Sequence, residues 1–354
     1  MRPLSAAEAI QPAINRTRAI LFQPFKLGRS WKLAATAYLS AMGCYFVPMP
    51  YFMFGSAGRK PSAVLLSLAF GLLFCAVMFV LFYFGVRLEF VLFDIVLLNE
   101  KFVAPSWRRH RHHSWRWIGF KVLVSLSVTI LCGPIFYVAF AYVMPRMQAA
   151  TVPGQPPSPE FLHNLLSLYA FIGLPTAFAI LCSSLLTNFV LPSIALENTT
   201  AREGLRRFFG MVSSEPGPFS LFVVLKVALG VAGFVAMEMA IVIGEIICLI
   251  PIGLVALAGW FLLRSAGDAG HIAMLGGAVL LVLIFGVVAS YAGLLLMGTL
   301  HVFFQAHALY FLAGRYPVLG DLLEPSAANL PVTTAPPMPS PPVIVPPLEP
   351  DALS

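Results

Sequence analysis

Glu89–Asn99 reads EFVLFDIVLLN, and Asn188–Asn198 reads NFVLPSIALEN. At a constant offset of 99 residues, Phe90 pairs with Phe189, Val91 with Val190, Leu92 with Leu191, Ile95 with Ile194, Leu97 with Leu196 and Asn99 with Asn198. Arg108 then pairs with Arg207, and Phe120 with Phe219. Each copy follows a long apolar run, leads into a basic loop and feeds another apolar run. The chain therefore reads as a repeated unit of span, interfacial elbow, basic loop and span. That is an all-α, polytopic transmembrane helix bundle.

Composition agrees. Of 354 residues, 59% are hydrophobic and only 10% charged, against about 25% charged in soluble domains. Several stretches reach the roughly 20 apolar residues that a span needs. The net charge of +7 does not point to nucleic acid, because the basic residues sit between apolar runs, where they set orientation. Cys44, Cys75, Cys132, Cys182 and Cys248 all fall inside apolar segments, far apart and without a CxxC motif. They read as small packing residues rather than a disulfide framework. The first long apolar run starts near Leu33, after six Lys or Arg residues, so insertion is expected to rely on that run itself rather than on a cleaved signal.

Outward from the elbows, three regions are predicted. Residues 1–32 form an amphipathic interfacial segment, broken or kinked at Pro24, with Ile10, Ile14, Leu21 and Phe25 set among Arg16, Arg18, Lys26, Arg29 and Lys32. The alternative for this helix is simple packing on the bundle. Residues 33–324 form the transmembrane domain, with spans near 33–54, 62–86, 118–143, 164–187, 219–243 and 272–297. Elbows fall near 87–98 and 188–197, and a third, aromatic one near 301–319. Residues 325–354 hold ten prolines and no Lys or Arg, the composition of a disordered, polyproline-like tail. Residues 246–263 are only 18 long and contain Pro251. They read as re-entrant in a six-span chain, or as a short seventh span.

Loop charge gives the sidedness. Residues 1–32 carry six Lys/Arg, 99–117 five and 193–218 three, while 55–62 and 145–162 carry two and one. The positive-inside rule then puts the N-terminus and both repeat loops in the cytoplasm.

The densest polar constellation is Trp107-Arg-Arg-His-Arg-His-His-Ser-Trp-Arg-Trp117. Guanidinium groups beside indoles suit an anionic lipid surface, with Trp rings at headgroup depth. Trp107, Arg108, Arg109, Arg111, Trp115, Arg116 and Trp117 are therefore candidate headgroup contacts. A metal site on His110, His112 and His113 is the sharper alternative. It has no adjacent Cys or carboxylate, and the arginines repel a cation. In and just beyond the fifth span, Glu238 and Glu245 lie seven residues apart on one helical face, with Lys226 about 120° around. Ionisable groups in a span suggest a functional polar site; snorkelling and end-capping are the plainer reading. His301 and His307, six apart, point to different faces and suit no cofactor as a pair. No Walker A, GxSxG, HExxH or dinucleotide fingerprint occurs.

FVLPSIALEN followed by AREGLRRF, the opening TRAILFQPFKLGRSWKLA and the closing FFQAHALYFLAGRYP resemble uncharacterised bacterial multi-pass proteins. Those are similar to the membrane domain attached to some bacterial glycerophosphodiester phosphodiesterases. The resemblance spans about residues 8–320. It implies a multi-pass domain with repeated elbows in a bacterial inner membrane, and it carries no catalytic residue over.

The expectation is a non-enzymatic inner-membrane protein, without cofactor. It would bind anionic lipid headgroups and anchor or organise a protein partner through its loops or Pro-rich tail. A permease or transport accessory subunit using Glu238 and Glu245 is the second reading. Each copy begins after an even number of spans, which makes the repeats parallel rather than inverted and lowers that reading. An intramembrane lipid enzyme is third, since no cluster of acids or histidines has the spacing for it.

Overall fold

The computed structural model describes residues 2–24, 26–41, 43, 61–100, 102–143, 145–146, 159–263 and 267–324. Among them the chain forms helices and no strand. In order these are α1 (Ile10–Leu21), α2 (Leu27–Ala41), α3 (Pro61–Leu98), α4 (Val103–Arg109) and α5 (Arg111–Val138), which ends in a π-helical turn (Ala139–Val143). After them come α6 (Pro159–Phe189), α7 (Leu191–Glu197), α8 (Ala201–Ser214), α9 (Pro216–Leu263), α10 (Gly267–Ala313) and α11 (Pro317–Leu323). Among the described residues five helices are long and apolar enough to cross a membrane: Leu68–Leu98, Ser114–Val143, Pro159–Glu197, Pro216–Ile247 and Ile272–Ala313. The expected first span at 33–54 is helical up to Ala41, and most of its remainder lies outside the described residues, as do the Pro-rich loop at 153–158 and the tail from 325.

The long helices are apolar on every side, which fits a lipid solvent rather than a watery one. Leu66, Leu72, Ile130 and Val282 are among many large side chains that face outward. Burial is concentrated instead at one end, where the elbows meet. Phe90, Val91, Phe93, Ile95 and Val96 of α3 are buried there with Phe189, Val190, Leu191 and Ile194 around the α6–α7 junction. Val302, Leu309, Phe311 and Leu312 of α10 complete this collar, with Ala13, Ile20 and Leu21 of α1 and Leu33 of α2.

The repeat is visible in the backbone. Asn99 and Asn198 are the two non-glycine residues with positive φ among the described residues, at 55° and 58°. Asn tolerates this left-handed conformation better than most residues and commonly ends helices in it. The two elbows nevertheless differ in shape. Elbow one is the unbroken end of α3, whereas elbow two breaks at Val190 and restarts as α7, with Pro192 in the first turn, where its missing N–H costs nothing. The loop helix α8 then begins on a threonine N-cap: Thr200 Oγ1 accepts from the Glu203 amide at 3.3 Å.

Residues 246–263 do not fold back. They continue α9, which runs unbroken through position 251 to Leu263. Pro in a membrane helix is tolerated where neighbouring groups re-satisfy the freed carbonyl. Here α10 runs back along α9. At 48 and 47 residues these helices extend about 72 and 70 Å. Because α9 and α10 form one hairpin, the third elbow returns to the same end as the first two.

Close approach marks the crossings. A Cβ on Gly298 of α10 would lie 2.2 Å from the Ala34 carbonyl oxygen of α2, and one on Gly43 2.5 Å from the Val86 nitrogen of α3. A Cβ on Gly233 of α9 would lie 2.8 Å from Leu300 Cδ1 of α10, whereas one on Gly276 or Gly277 would have nothing within 4 Å. Cys75, Cys132 and Cys182 are free thiols.

Candidate functional site

The N-terminal helix breaks where Pro24 predicts, and α1 packs on α10 through Ala13, Thr17, Ile20 and Leu21. Arg16 reaches past it to α3, donating to the Val96 and Leu97 carbonyls at 2.8 and 2.7 Å. These are orphan acceptors at a helix C-terminus, where a cation is favoured. Arg315 ties the other side. It donates to Glu215 at 2.8 Å and to the Leu4 and Phe311 carbonyls at 3.0 and 2.8 Å. His307 Nε2 lies 2.8 Å from the Ala6 carbonyl oxygen, which gives this buried imidazole a structural partner. The interfacial segment is thus half docked: Ile14 and Phe22 remain exposed, and Phe25 lies outside the described residues.

Elbow one carries the charges. Glu89 is buried and forms an ion pair with buried Lys121 of α5, and it accepts from Trp117 Nε1 at 2.9 Å. Lys121 also donates to the Gly43 carbonyl at 2.9 Å. Buried Asp94 lies 3.1 Å from Arg109 Nη1 and 3.0 Å from His110 Nε2. Arg87 donates to the Trp107 carbonyl at 3.0 Å and stacks 4.0 Å from that indole.

The predicted lipid-facing segment is therefore divided. Trp117 is fully buried, Arg109 pairs with Asp94 and Glu100 while its side chain stays about half exposed, and Trp107 packs against Arg87 and Phe84. Arg108, Trp115 and Arg116 face outward, and the Arg111 side chain lies outside the described residues. His110 stacks on Phe90, with centroids 5.2 Å apart. The side chains of His112 and His113 lie outside the described residues. Among those described, no three His, Cys, Asp or Glu groups gather to hold a metal.

Elbow two is built from rings. Phe189 contacts Phe208, Phe219, Phe222 and Phe311, with centroids 5.2 to 6.2 Å apart. At its surface Glu197 pairs with Arg207 and accepts from the Tyr316 hydroxyl. Burial first, and then that bond, push the Tyr316 hydroxyl above its ordinary range, so it stays a protonated donor.

The structure does not gather Lys226, Glu238 and Glu245 into one site. Lys226 is buried in the collar, its ammonium 5.8 Å from the Phe222 ring centroid. Glu238 and Glu245 lie about 18 and 28 Å further along α9. Glu238 is exposed and Glu245 half-buried, and neither has an ion-pair partner among the described residues.

Two cavities went unpredicted. A small polar chamber of about 50 Å³ lies between α2, α3, α6 and α10, lined by Ser40, Glu89, Ser184, Thr187, Asn188, His301 and Gln305 among others. Thr187 Oγ1, Asn188 Nδ2 and Gln305 Nε2 are buried there without a hydrogen-bond partner among the described residues. A larger apolar groove of about 660 Å³ opens between α1, α9 and α10. The only hint in the sequence was polar residues inside apolar runs. Which of them meet depends on pairings dozens of residues apart.

A family model matches residues 4–322, and the chain belongs to that family, described as a family of unknown function (DUF7544). Comparison with curated proteins returns no match, and neither does comparison with solved structures. None of these comparisons ties the chain to the membrane domain of glycerophosphodiester phosphodiesterases.

Proposed function

We propose that this protein is a non-enzymatic membrane scaffold or anchor whose collar lies at the cytoplasmic face of a bacterial inner membrane and binds anionic lipid headgroups. One observation carries the reading. The basic Trp-rich segment is fixed from beneath by Trp117, Arg109 and His110, which leaves Arg108, Trp115 and Arg116 turned outward beside the apolar spans. Cations and an indole held at a bilayer edge favour phosphate-bearing lipids by roughly 1 kcal/mol per basic residue. Loop charge supports the cytoplasmic side, since the arginine-rich loops gather at the collar. The tail and loops are the segments that would engage a protein partner.

The test is retention of lipid by purified protein in native mass spectrometry, from an equimolar mixture of phosphatidylglycerol and phosphatidylcholine. Wild type is expected to prefer phosphatidylglycerol, and Arg108→Glu with Arg116→Glu to lose most of that preference. An unchanged preference in the double variant sinks the collar reading.

A permease or transport accessory subunit is the second reading, and the polar chamber favours it. Unpartnered amides and hydroxyls beside a buried ion pair are a place for a small polar solute. On this reading Glu89, rather than Glu238 or Glu245, is the first carboxylate to test. Uptake that is unchanged by Asn188→Leu with Gln305→Leu would remove the chamber from any transport path.

A further inference from the structure

The apolar groove between α1, α9 and α10 is separate from the basic loop surface. Its floor is buried Met237 and Thr17, and its rim includes exposed Ile14, Phe22 and Leu296. The wall given by α9 is low because Gly233, Ala236 and Ala240 occupy it. At about 660 Å³ it falls within the roughly 300–1,000 Å³ range of small-ligand sites. Its two hydroxyls are already satisfied: Thr17 donates to the Ala13 carbonyl and Thr299 to the Leu295 carbonyl, each at 2.8 Å. The interior therefore presents no polar demand, and an apolar occupant meets no desolvation cost there.

The mouth is different. Among the described residues of the lining Arg18 is the one that carries a charge, and it is exposed. No carboxylate among the described residues is within ion-pair distance of it. A cation over an apolar slot is complementary to a molecule with an anionic head and a hydrocarbon tail. The path beyond the slot suits the tail. Past Ala240 and Leu296, α9 and α10 continue with exposed Val242, Ile243, Val287 and Val288, so a chain leaving the groove stays on apolar surface.

We propose that this groove holds one acyl chain of an anionic phospholipid whose phosphate pairs with Arg18. This rests on the lipid-binding reading and adds a defined site to it. The lipid would fill the space between α1 and the α9–α10 hairpin and so fasten the N-terminal helix to the bundle.

The test uses the full chain in mild detergent, exchanged with phosphatidylglycerol or phosphatidylcholine, and native mass spectrometry to count lipids that survive washing. The expectation is one wash-resistant phosphatidylglycerol per chain in addition to lipid that depends on Arg108 and Arg116, with phosphatidylcholine held there roughly tenfold less well, the size of one charge-assisted contact. Arg18→Gln removes the headgroup preference of that one lipid while leaving the fold intact, because the side chain is exposed. Ala240→Trp fills the slot and abolishes retention of that lipid. Elution of that variant as the wild-type species in size exclusion separates blockage from misfolding. Inorganic phosphate added alone gives no stabilisation. Retention unchanged by Arg18→Gln, or by a folded Ala240→Trp, overturns the proposal. If those two variants behave as wild type while Arg108→Glu with Arg116→Glu loses lipid, the groove falls and the collar surface stands. The opposite pattern keeps the groove and discards the collar surface.

Discussion

Elbows one and two occupy equivalent places in the repeat and end on the same left-handed asparagine, yet different forces hold them. In elbow one a buried Glu89–Lys121 pair, the Trp117 indole and the Asp94–Arg109–His110 cluster bind α3 to the helices that follow. In elbow two Asn188 and Ser193 stand where Glu89 and Asp94 do, and the contact to later helices is a nest of phenylalanines around Phe189. The backbone repeat and the apolar pairs Phe90/Phe189 and Val91/Val190 are shared, while the polar chemistry is local. Copies of one architectural unit can therefore carry separate tasks. Elbow one ties its basic segment through a buried carboxylate, Asp94, whereas elbow two ties Arg207 through the partly exposed Glu197, and the chamber lies between Glu89 of the first and Asn188 of the second.

The comparison can be broken most forcefully at Lys121. Lys121→Ala leaves Glu89 buried without its cation and is expected to cost about 3–5 kcal/mol, read as an earlier midpoint in SDS-driven unfolding followed by circular dichroism. Replacing both partners, Glu89→Gln with Lys121→Met, should recover much of that loss. If the single and double variants are equally unstable, the pair is not what holds elbow one. In elbow two the matching experiment is Phe189→Ala, expected to cost about 3 kcal/mol through lost burial and the cavity left behind. A second apolar replacement such as Phe189→Leu should be far milder, and equal losses for Ala and Leu would mean that packing volume is not the cause.

The shared feature gives a smaller effect. Asn99→Ala and Asn198→Ala should each cost about 1 kcal/mol, because alanine pays the left-handed penalty, whereas glycine at either position should be close to neutral. Opposite responses at the two sites would show that the repeat is not equivalent in its backbone. The smallest change is expected for Arg207→Ala, under about 1 kcal/mol, since its bond to Glu197 is partly exposed.

The repeat, the apolar runs and the break near Pro24 were legible because each is written locally, in periodicity, composition and turn chemistry. Asn99 and Asn198 could be matched by offset, although nothing in the pairing alone announced a positive φ. The partners were not legible. Lys121 meets Glu89 across 32 residues, Arg16 meets Val96 across 80 and His307 meets Ala6 across 301, and spacing along one helix does not encode which helix it faces. The same limit produced the expectation of a re-entrant turn at 246–263. Proline and a short run argue for a break, whereas the helix carries on through position 251 to Leu263. Trp117 falls among the expected lipid-facing residues because sequence shows a basic aromatic cluster but not which of its members a buried carboxylate, here Glu89, draws inward.

The central claim is that the collar meets anionic lipid through the outward members of that cluster. The most direct measurement is native mass spectrometry of wild type and the Arg108→Glu, Arg116→Glu double variant after equilibration with equal phosphatidylglycerol and phosphatidylcholine. The account predicts a marked phosphatidylglycerol preference in wild type that falls several-fold in the double variant, with both proteins eluting as the same folded species. An identical lipid distribution in the two proteins would contradict it.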